Sequence, residues 1–279
     1  MSDLNLVVIK GAGDIPSAIA HRVKQAGGNP VLLEVDRPLI TRRLMAFAPA
    51  LHGDSPVIEG LRGVGCETAE QAIAVASEPG VMPVLALPEG GDTANAVQVL
   101  SSLAHVLVVV DGRMKKKQAP PEQIQEAPLV IGVGPGFVAG QHAHGVIETS
   151  WGDDLGRVIW QGSTLDYTGI HRKVEGHGAE RYIYAPHNGV FRTEKNIPDA
   201  VQPGDVVGRI DDTPLKVEIG GVLRGLAYNG TSVSKGAKLV EVEPRGDITA
   251  CSGIARRPAQ IADGVIQAIR ERASEVLQG

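Results

Sequence analysis

The feature that most constrains the fold is an apolar stretch that runs directly into two glycines and then into a helical pattern. The stretch reads Leu6-Val-Val-Ile-Lys-Gly-Ala-Gly-Asp14. Glycines at Gly11 and Gly13 allow the backbone to turn sharply and to approach a ligand's phosphates, and the helix behind them offers unpaired N–H groups. This pattern is typical of the start of a nucleotide-binding α/β domain.

The residues after this turn predict a strand–helix–strand unit. Ile15, Ile19 and Val23 lie four apart on one helical face, Gly27-Gly28 ends the helix, and Pro30–Asp36 is a second apolar run. The pattern continues with helices over 69–76 and 94–103 and with strands over 81–87, 104–110 and 129–133. Alternating strands and helices predict an α/β fold with a Rossmann-like, mainly parallel sheet covered on both faces.

Composition argues against several classes of function. The net charge of −5, with only two Trp, four Tyr and three Phe, disfavours nucleic-acid binding and anionic membranes. Cys66 and Cys251 form no metal-binding spacing, and a reducing compartment is expected. Neither a signal peptide nor a membrane-spanning run is apparent, so a soluble cytoplasmic protein is expected.

A repeat follows the change of pattern near Trp151, where short β runs replace the helical signals. Gly189-Val-Phe-Arg192 matches Gly221-Val-Leu-Arg224, and Val201-x-x-Gly204 matches Val233-x-x-Gly236, each pair 32 positions apart. A constant offset across separated landmarks predicts a quasi-twofold β unit.

These landmarks resemble a biotinyl/lipoyl-type barrel-sandwich hybrid. In that family the carrier lysine lies on the hairpin between the two halves, and here Pro214 stands about where it belongs. The resemblance therefore implies the fold without the swinging arm, with Lys216 as a solvated strand residue.

The expected organisation is an N-terminal Rossmann-like nucleotide- or cofactor-binding domain and a C-terminal all-β domain closed by a terminal helix. The ranges are 1–150 for the first domain, 151–180 for a connector, 181–246 for the barrel-sandwich hybrid and 247–279 for the helical end. Ile261, Val265, Ile269, Ala273 and Leu277 form one stripe of an amphipathic helix over Pro258–Leu277, which is expected to dock back onto one domain.

Candidate ligand-binding residues fall at four predicted strand ends, which gather at one edge of a parallel sheet. They are Gly11, Gly13 and Asp14 after the first strand, Glu34 at the end of the second, Asp111, Arg113 and Lys115 after the strand over 104–110, and Gly132, Gly134 and Gly136 at the end of the strand over 129–133. Backbone N–H groups would bind phosphates, Glu34 a sugar hydroxyl, and Arg113 the remaining charge. Arg42 and Arg43 could clamp phosphate.

Each candidate has a simpler interpretation. Pro16 replaces the third glycine of the dinucleotide fingerprint, Asp36 competes with Glu34, and Arg42 and Arg43 could be the polar face of a short helix. Lys116 and Lys117 are expected to be surface charge. His142 and His144 could share a face of a strand and bind a metal, although zinc normally needs a third ligand. No catalytic residue is assigned.

The motifs together resemble the YqeB-type family of selenium-dependent molybdenum hydroxylase systems. Those that carry the likeness are Asp36-Arg-Pro-Leu-Ile-Thr-Arg-Arg43, Val110-Asp-Gly-Arg-Met-Lys115 and above all Pro128-Leu-Val-Ile-Gly-Val-Gly-Pro-Gly-Phe137. The resemblance implies an accessory protein, similar in role to XdhC, that matures or inserts the cofactor of a molybdenum hydroxylase. The sequence departs from the family at Pro16 and at Asp153-Asp154.

The resemblance implies a molybdenum hydroxylase client as partner, and an NAD(P)-type nucleotide or molybdopterin as the cofactor. A small-molecule phosphate ligand is expected, and a homo-oligomer is possible. An NAD(P)-dependent oxidoreductase and a non-catalytic scaffold are the alternative functions.

Overall fold

The computed structural model describes residues 2–88, 90–115 and 118–277. Lys116 and Lys117 lie outside the described residues. The chain forms two compact units, the first made of Met1–Pro38, Ala46–Thr168 and Ile254–Gly279 and the second of Leu39–Met45 and Gly169–Gly253. The chain therefore enters the second unit twice, first with a segment of seven residues.

Over its described residues, the first unit contains one large sheet, a two-stranded sheet and four α-helices. Its elements are β1 Asn5–Lys10, α1 Asp14–Gln25, β2 Asn29–Val35, β3 Val57–Ile58, β4 Leu61–Cys66, α2 Ala69–Ala76, β5 Val81–Leu87, α3 Thr93–Leu103, β6 His105–Asp111, β7 Leu129–Val133, β8 Val138–Ala139, β9 Gly145–Ile147, β10 Val158–Ile159, β11 Gly162–Ser163 and, at the C-terminal end, α4 Arg256–Arg272. The predictions of a helix over 69–76 and of strands over 81–87 and 129–133 are confirmed to the residue. Among the described residues, no helix combines the length and apolar composition needed to cross a bilayer.

The large sheet is mixed: the parallel pairing that was expected holds for its inner strands and was wrong for its two edges. Its strand order is β10-β9-β7-β6-β1-β2-β5-β4-β3. The seven inner strands are parallel, whereas β3 and β10 pair antiparallel at the two edges. Strand β3 joins β4 through Glu59 and Gly60, both with positive φ, which is the geometry of a two-residue hairpin turn. Such short hairpins carry no helix, so the alternation of strands and helices could not reveal them.

Helices cover this sheet in two layers. Side chains from α2 and α3 share a buried cluster with Leu6 and Val8 of β1, while α1 packs against α4. The strand order reverses between β1 and β6. Strands β2 and β5 lie on one side of β1, whereas β6 and β7 lie on its other side. Right-handed crossovers on either side of such a reversal place their helices on opposite faces and leave a crevice beyond the carboxyl ends of these strands.

The second unit consists of two four-stranded antiparallel sheets. Its strands are β12 Tyr182–Tyr184, β13 Gly189–Arg192, β14 Ala200–Val201, β15 Val206–Ile210, β16 Thr213–Lys216, β17 Gly221–Leu226, β18 Thr231–Val233 and β19 Lys238–Glu243. The sheets have the orders β12-β19-β17-β14 and β16-β15-β13-β18. Their apolar side chains meet in one buried cluster.

The predicted 32-residue repeat is confirmed. Strand β13 corresponds to β17 and β15 to β19, so the two sheets are related by the repeat. The repeated Gly189 and Gly221 both have a positive φ, and a Cβ atom at Gly221 would lie 2.2 Å from the carbonyl oxygen of Glu243. Only glycine fits both positions, which explains the repeated landmark.

Candidate functional site

The loop after β1 leaves the start of α1 open. Gly11 has φ +99°, and a Cβ atom there would lie 3.0 Å from the ring of Pro16, so this position requires glycine. Gly13 is the N-cap of α1 and provides no side-chain cap. A Cβ atom at Gly13 would meet no atom within 4 Å. A side chain at Gly13 would therefore extend into open space next to the positive end of the helix dipole.

Glu34 binds the glycine loop itself. Its Oε2 accepts a hydrogen bond from the Ala12 amide at 2.9 Å, and its Oε1 accepts one from the Val35 amide at 3.0 Å. These bonds tie the end of β2 to the turn after β1. Since each carboxylate oxygen has a second lone pair and the side chain is only half-buried, Glu34 can still accept a bond from a ligand hydroxyl.

A buried cluster of charged side chains joins the ends of β1 and β6. The ammonium group of Lys10, 1% exposed, lies 2.5 Å from the Glu126 carboxylate and donates to the amide oxygen of Gln123 at 2.7 Å. Gln123 in turn donates to Asp111 at 3.1 Å. Arg113 donates to both oxygens of Asp111, at 3.0 and 2.6 Å. Two cations and two anions thus balance one another in a low-dielectric setting.

The pKa values in this cluster follow from burial and pairing. Burial lowers the pKa of Lys10, and its contact with Glu126 opposes that effect without cancelling it. Burial alone would raise the pKa of Asp111, but the hydrogen bonds and charge of Arg113 outweigh it, so the pKa lies below its ordinary value. Asp111 is therefore ionised at neutral pH and fixes the orientation of Arg113.

Arg113 lies next to the glycine loop, the position that the sequence predicts for it. Its Cα is 3.5 Å from the position of a Cβ at Gly11, and its third contact is a bond from Nη1 to the Thr93 hydroxyl at 3.3 Å. Three of its groups thus bind protein atoms, which holds the guanidinium in one orientation.

The glycine turn after β7 has a different role from the one predicted. A Cβ atom at Gly132 would overlap the ring of Phe137 at 2.3 Å, so this glycine makes room for packing. The Gly134 amide donates to the carbonyl of Ile147, and the Gly134 carbonyl accepts from the Thr164 hydroxyl at 2.8 Å. These groups bind protein, whereas Gly136 lies nearest to Pro120.

A narrow cleft connects the loops after β6 and β7. Its walls combine the polar side chains of Asp111, Arg113, Lys115 and Gln118 with the apolar ones of Ala119, Pro120, Pro121, Val133, Pro135 and Phe137. It encloses about 20 Å³, which is room for about one water molecule. The cleft can extend the crevice beyond β1 but is too small to hold an organic molecule.

Arg42 and Arg43 belong to the second unit and bind its side chains. Arg42 makes two hydrogen bonds to the Glu241 carboxylate, at 2.8 and 2.9 Å, and the guanidinium of Arg43 lies 4.5 Å from the centre of the Tyr228 ring. Both arginines of the predicted phosphate clamp thus make contacts within the second unit. By contrast, Gly11, Gly13, Asp14, Glu34, Asp111, Arg113, Lys115 and the three glycines after β7 all belong to the first unit, at the carboxyl ends of β1, β2, β6 and β7.

The predicted histidine pair binds the backbone. The Nδ1 atoms of His142 and His144 accept hydrogen bonds from the amides of Val138 and Val130, at 3.1 and 3.0 Å. Within 2–88, 90–115 and 118–277, no group of three or more His, Cys, Asp or Glu is placed to hold a metal ion.

Four residues of the buried charged cluster were not predicted from the sequence: Lys10, Thr93, Gln123 and Glu126. One signal was available, since Lys10 is the only charged residue in the strand Leu6-Val-Val-Ile-Lys10. A charge at the end of a buried strand needs a partner, but nothing in the sequence indicates that Glu126, 116 positions away, supplies it.

A relative and several solved structures resemble this chain, while no family model matches it. The relative is the uncharacterized protein YqeB of Escherichia coli (strain K12), 34% identical over 264 residues. This alignment covers 95% of the chain but 47% of YqeB. The chain is similar to YqeB and spans about half of the length of that protein. The likeness supports the YqeB-type resemblance and says nothing of selenium, molybdenum hydroxylases or a role like that of XdhC.

The solved structures share little with the chain. A succinylglutamate desuccinylase/aspartoacylase from Rhodobacter sphaeroides is 23% identical over 32% of this chain and 31% of its own, with a TM-score of 0.22. An aspartoacylase family protein from Mesorhizobium loti and the ectoine utilization protein EutE (DoeB) from Ruegeria pomeroyi each show 11% identity, 86% and 85% coverage of the two chains and a TM-score of 0.26. At these TM-scores the likeness carries no argument for an activity.

Two expectations are corrected. The first unit has a large mixed sheet and the second has two four-stranded antiparallel sheets, and no comparison supports the expected biotinyl/lipoyl-like barrel-sandwich hybrid. The residues that suggested it are glycines, which a repeated β unit needs wherever a strand begins at a tight turn. The expected function in maturing a molybdenum hydroxylase, with its nucleotide or molybdopterin ligand, is corrected as well, because neither the relative nor any of the solved structures supports it.

Proposed function

We propose that the first unit binds a small phosphate-bearing molecule in the crevice beyond the carboxyl ends of β1 and β6. The observation that carries this proposal is the start of α1, where Gly13 supplies no cap and open space replaces a side chain. Helix N-termini of this kind bind anions through backbone N–H groups and the helix dipole. The position coincides with the reversal of strand order, where open α/β sheets bind their ligands.

The charges around the crevice narrow the class of ligand. Arg113 and Lys115 supply positive charge on the side of β6, whereas Asp14 and Glu34 place two carboxylates near the glycine loop. Repulsion from these carboxylates disfavours a polyphosphate. Hydroxyl groups next to a single phosphate would instead donate to them. A phosphorylated polyol or sugar therefore fits the crevice best.

Calorimetric titration with glycerol 3-phosphate tests the proposal, and glycerol serves as the uncharged comparison. The informative variant is Gly13→Asp, because a carboxylate at the N-cap satisfies the helix start and occupies the place of the phosphate. We expect binding of glycerol 3-phosphate to the wild-type protein, at least a tenfold loss in Gly13→Asp, and unchanged thermal stability or a small gain.

Gln98→Glu is the matched control, since it makes the same change in charge on the exposed face of α3. It should leave the affinity unchanged. Equal affinity in Gly13→Asp and the wild-type protein, or the absence of binding at millimolar concentrations, would show that α1 has no such role.

A further inference from the structure

Two fully buried glutamates lie on the outer face of one sheet in the second unit. Glu241 and Glu243 are two positions apart on β19, so their side chains share a face, and both are 0% exposed. Val240 and Val242 point the other way, into the apolar core. Burying two carboxylates is costly unless cations and hydrogen bonds compensate for lost water.

Three cations contact the Glu241 carboxylate. Besides the two bonds from Arg42, the ammonium group of Lys238 lies at 2.9 Å and a guanidinium nitrogen of Arg181 at 3.4 Å. Burial by itself would raise the pKa of Glu241, but the charges of Arg42 and Lys238 hold it far below the ordinary value of 4.5. One negative charge therefore faces three positive charges at this end of the cluster.

The Glu243 end is closer to balance. Arg245 donates to both oxygens of Glu243, at 2.6 and 3.0 Å, and Arg224 contacts it at 3.5 Å. Arg181 lies between the two carboxylates, 4.0 Å from Glu243. The carboxylates of Asp247 and Glu175 also act on Arg245. The excess of positive charge is thus concentrated at Glu241.

Aromatic rings lie beside that excess. Tyr182 and Tyr184 share a face of the edge strand β12, and the ring of His171 lies 4.7 Å from the first and 6.4 Å from the second. The Lys238 ammonium is 4.9 Å from the centre of the Tyr182 ring. Tyr184 is 40% exposed, and the side chains of Lys238 and Arg42 are 31% and 23% exposed.

We propose that these five residues, Arg42, His171, Tyr182, Tyr184 and Lys238, form a second binding site, for a planar aromatic molecule that carries a phosphate. The ring of the ligand stacks on the exposed face of Tyr184, as bases do on aromatic side chains. The phosphate lies against Lys238 and Arg42, whose orientations Glu241 already fixes. This site is in the second unit and does not depend on the crevice in the first.

Titration with AMP tests this proposal, with adenosine and inorganic phosphate as probes of the ring and the charge alone. We expect AMP to bind at least tenfold more tightly than either probe, and its affinity to fall as salt increases. Lys238→Gln and Tyr184→Leu should each weaken AMP binding by about tenfold, the size expected for loss of one stacked ring or one charged contact. Circular dichroism verifies that both variants are folded.

Two controls separate this site from the crevice. Lys235→Gln removes an exposed lysine three positions from Lys238 and should leave AMP affinity unchanged, as should Gly13→Asp. The proposal is wrong if AMP binds equally to the wild-type protein, Lys238→Gln and Tyr184→Leu, if adenosine matches AMP, or if Gly13→Asp abolishes AMP binding.

Discussion

Individual glycines at the edge of the large sheet have different roles, and the atoms around each one determine which. Gly13 faces open space, Gly132 faces the ring of Phe137, and Gly11 adopts a backbone conformation that other residues avoid. The sequence presents all three simply as glycines in turns after strands. Only the local contacts separate a glycine that leaves room for a ligand from one that leaves room for a side chain.

The same substitution at two of these glycines should have opposite effects. Gly132→Ser puts a Cβ atom into the Phe137 ring and should lower the free energy of unfolding by about 1–3 kcal/mol through overpacking. Gly13→Ser adds a capping hydroxyl in empty space and should raise it by a few tenths of a kcal/mol. Urea denaturation of the two variants measures both changes. Equal losses would mean that the space at Gly13 is not open.

Glu241 should make stability depend on pH below the ordinary carboxylate range. Because its pKa is lowered on folding, its contribution is complete above pH 4.5 and is lost as the pH falls through the folded-state pKa. Glu241→Gln leaves Arg42, Lys238 and the buried Arg181 with less compensation and should cost about 3–5 kcal/mol at pH 7.

The difference in unfolding free energy between wild type and Glu241→Gln should therefore shrink as the pH falls below 4.5. Glu194→Gln is the control, since Glu194 is exposed and should give a flat, near-zero difference. A constant difference for Glu241→Gln across the acid range would contradict the inferred ionisation.

Among whole elements, those with strong periodicity were predictable and the short ones were not. α2 and β5 follow from their own residues, since an apolar period of four or a continuous apolar run bounded by Gly and Pro leaves little choice. β3, with two residues, has too little pattern to detect. Lys10 and Glu126 illustrate the limit for the site, because their pairing depends on how distant segments pack.

Helix α4 contains a glycine whose role is visible only in the packing. A Cβ atom at Gly264 would lie 2.0 Å from the carbonyl oxygen of Gly156, so the helix touches the loop backbone directly. Alanine normally stabilises a helix interior by about 1 kcal/mol relative to glycine. In Gly264→Ala the steric clash outweighs that gain, because the helix and the loop must move apart to make room for the added methyl group.

Gly264→Ala should therefore lower the free energy of unfolding by about 1–3 kcal/mol. Gln267→Ala, on the exposed face of the same helix, should change it by less than about 0.5 kcal/mol. Thermal and urea denaturation measure both variants. A stabilised Gly264→Ala protein would show that the contact between helix and loop is looser than described.

At the scale of the whole molecule, each of the two compact units has its own apolar cluster. Both tryptophans, Trp151 and Trp160, lie in the first unit, whereas Tyr182, Tyr184 and Tyr228 lie in the second. Tryptophan emission therefore reports on the first unit alone, while far-ultraviolet circular dichroism reports on both.

Glu241→Gln should consequently separate the two signals. The dichroism of the variant should show a loss of β structure at a lower urea concentration than the wild type, while the midpoint by tryptophan emission stays within about 0.2 M. If both midpoints fall together, the units unfold as one cooperative body.

The repeat in the second unit has a consequence for its origin. Each half of the repeat supplies two strands to each sheet. The first half contributes β12 and β14 to one sheet and β13 and β15 to the other. The second half contributes β17 and β19 to the first of these sheets and β16 and β18 to the second. A single copy of the repeat could complete neither sheet, so an ancestral peptide of that length would have needed a second molecule to fold. The covalent link between the two copies makes this assembly intramolecular and independent of protein concentration.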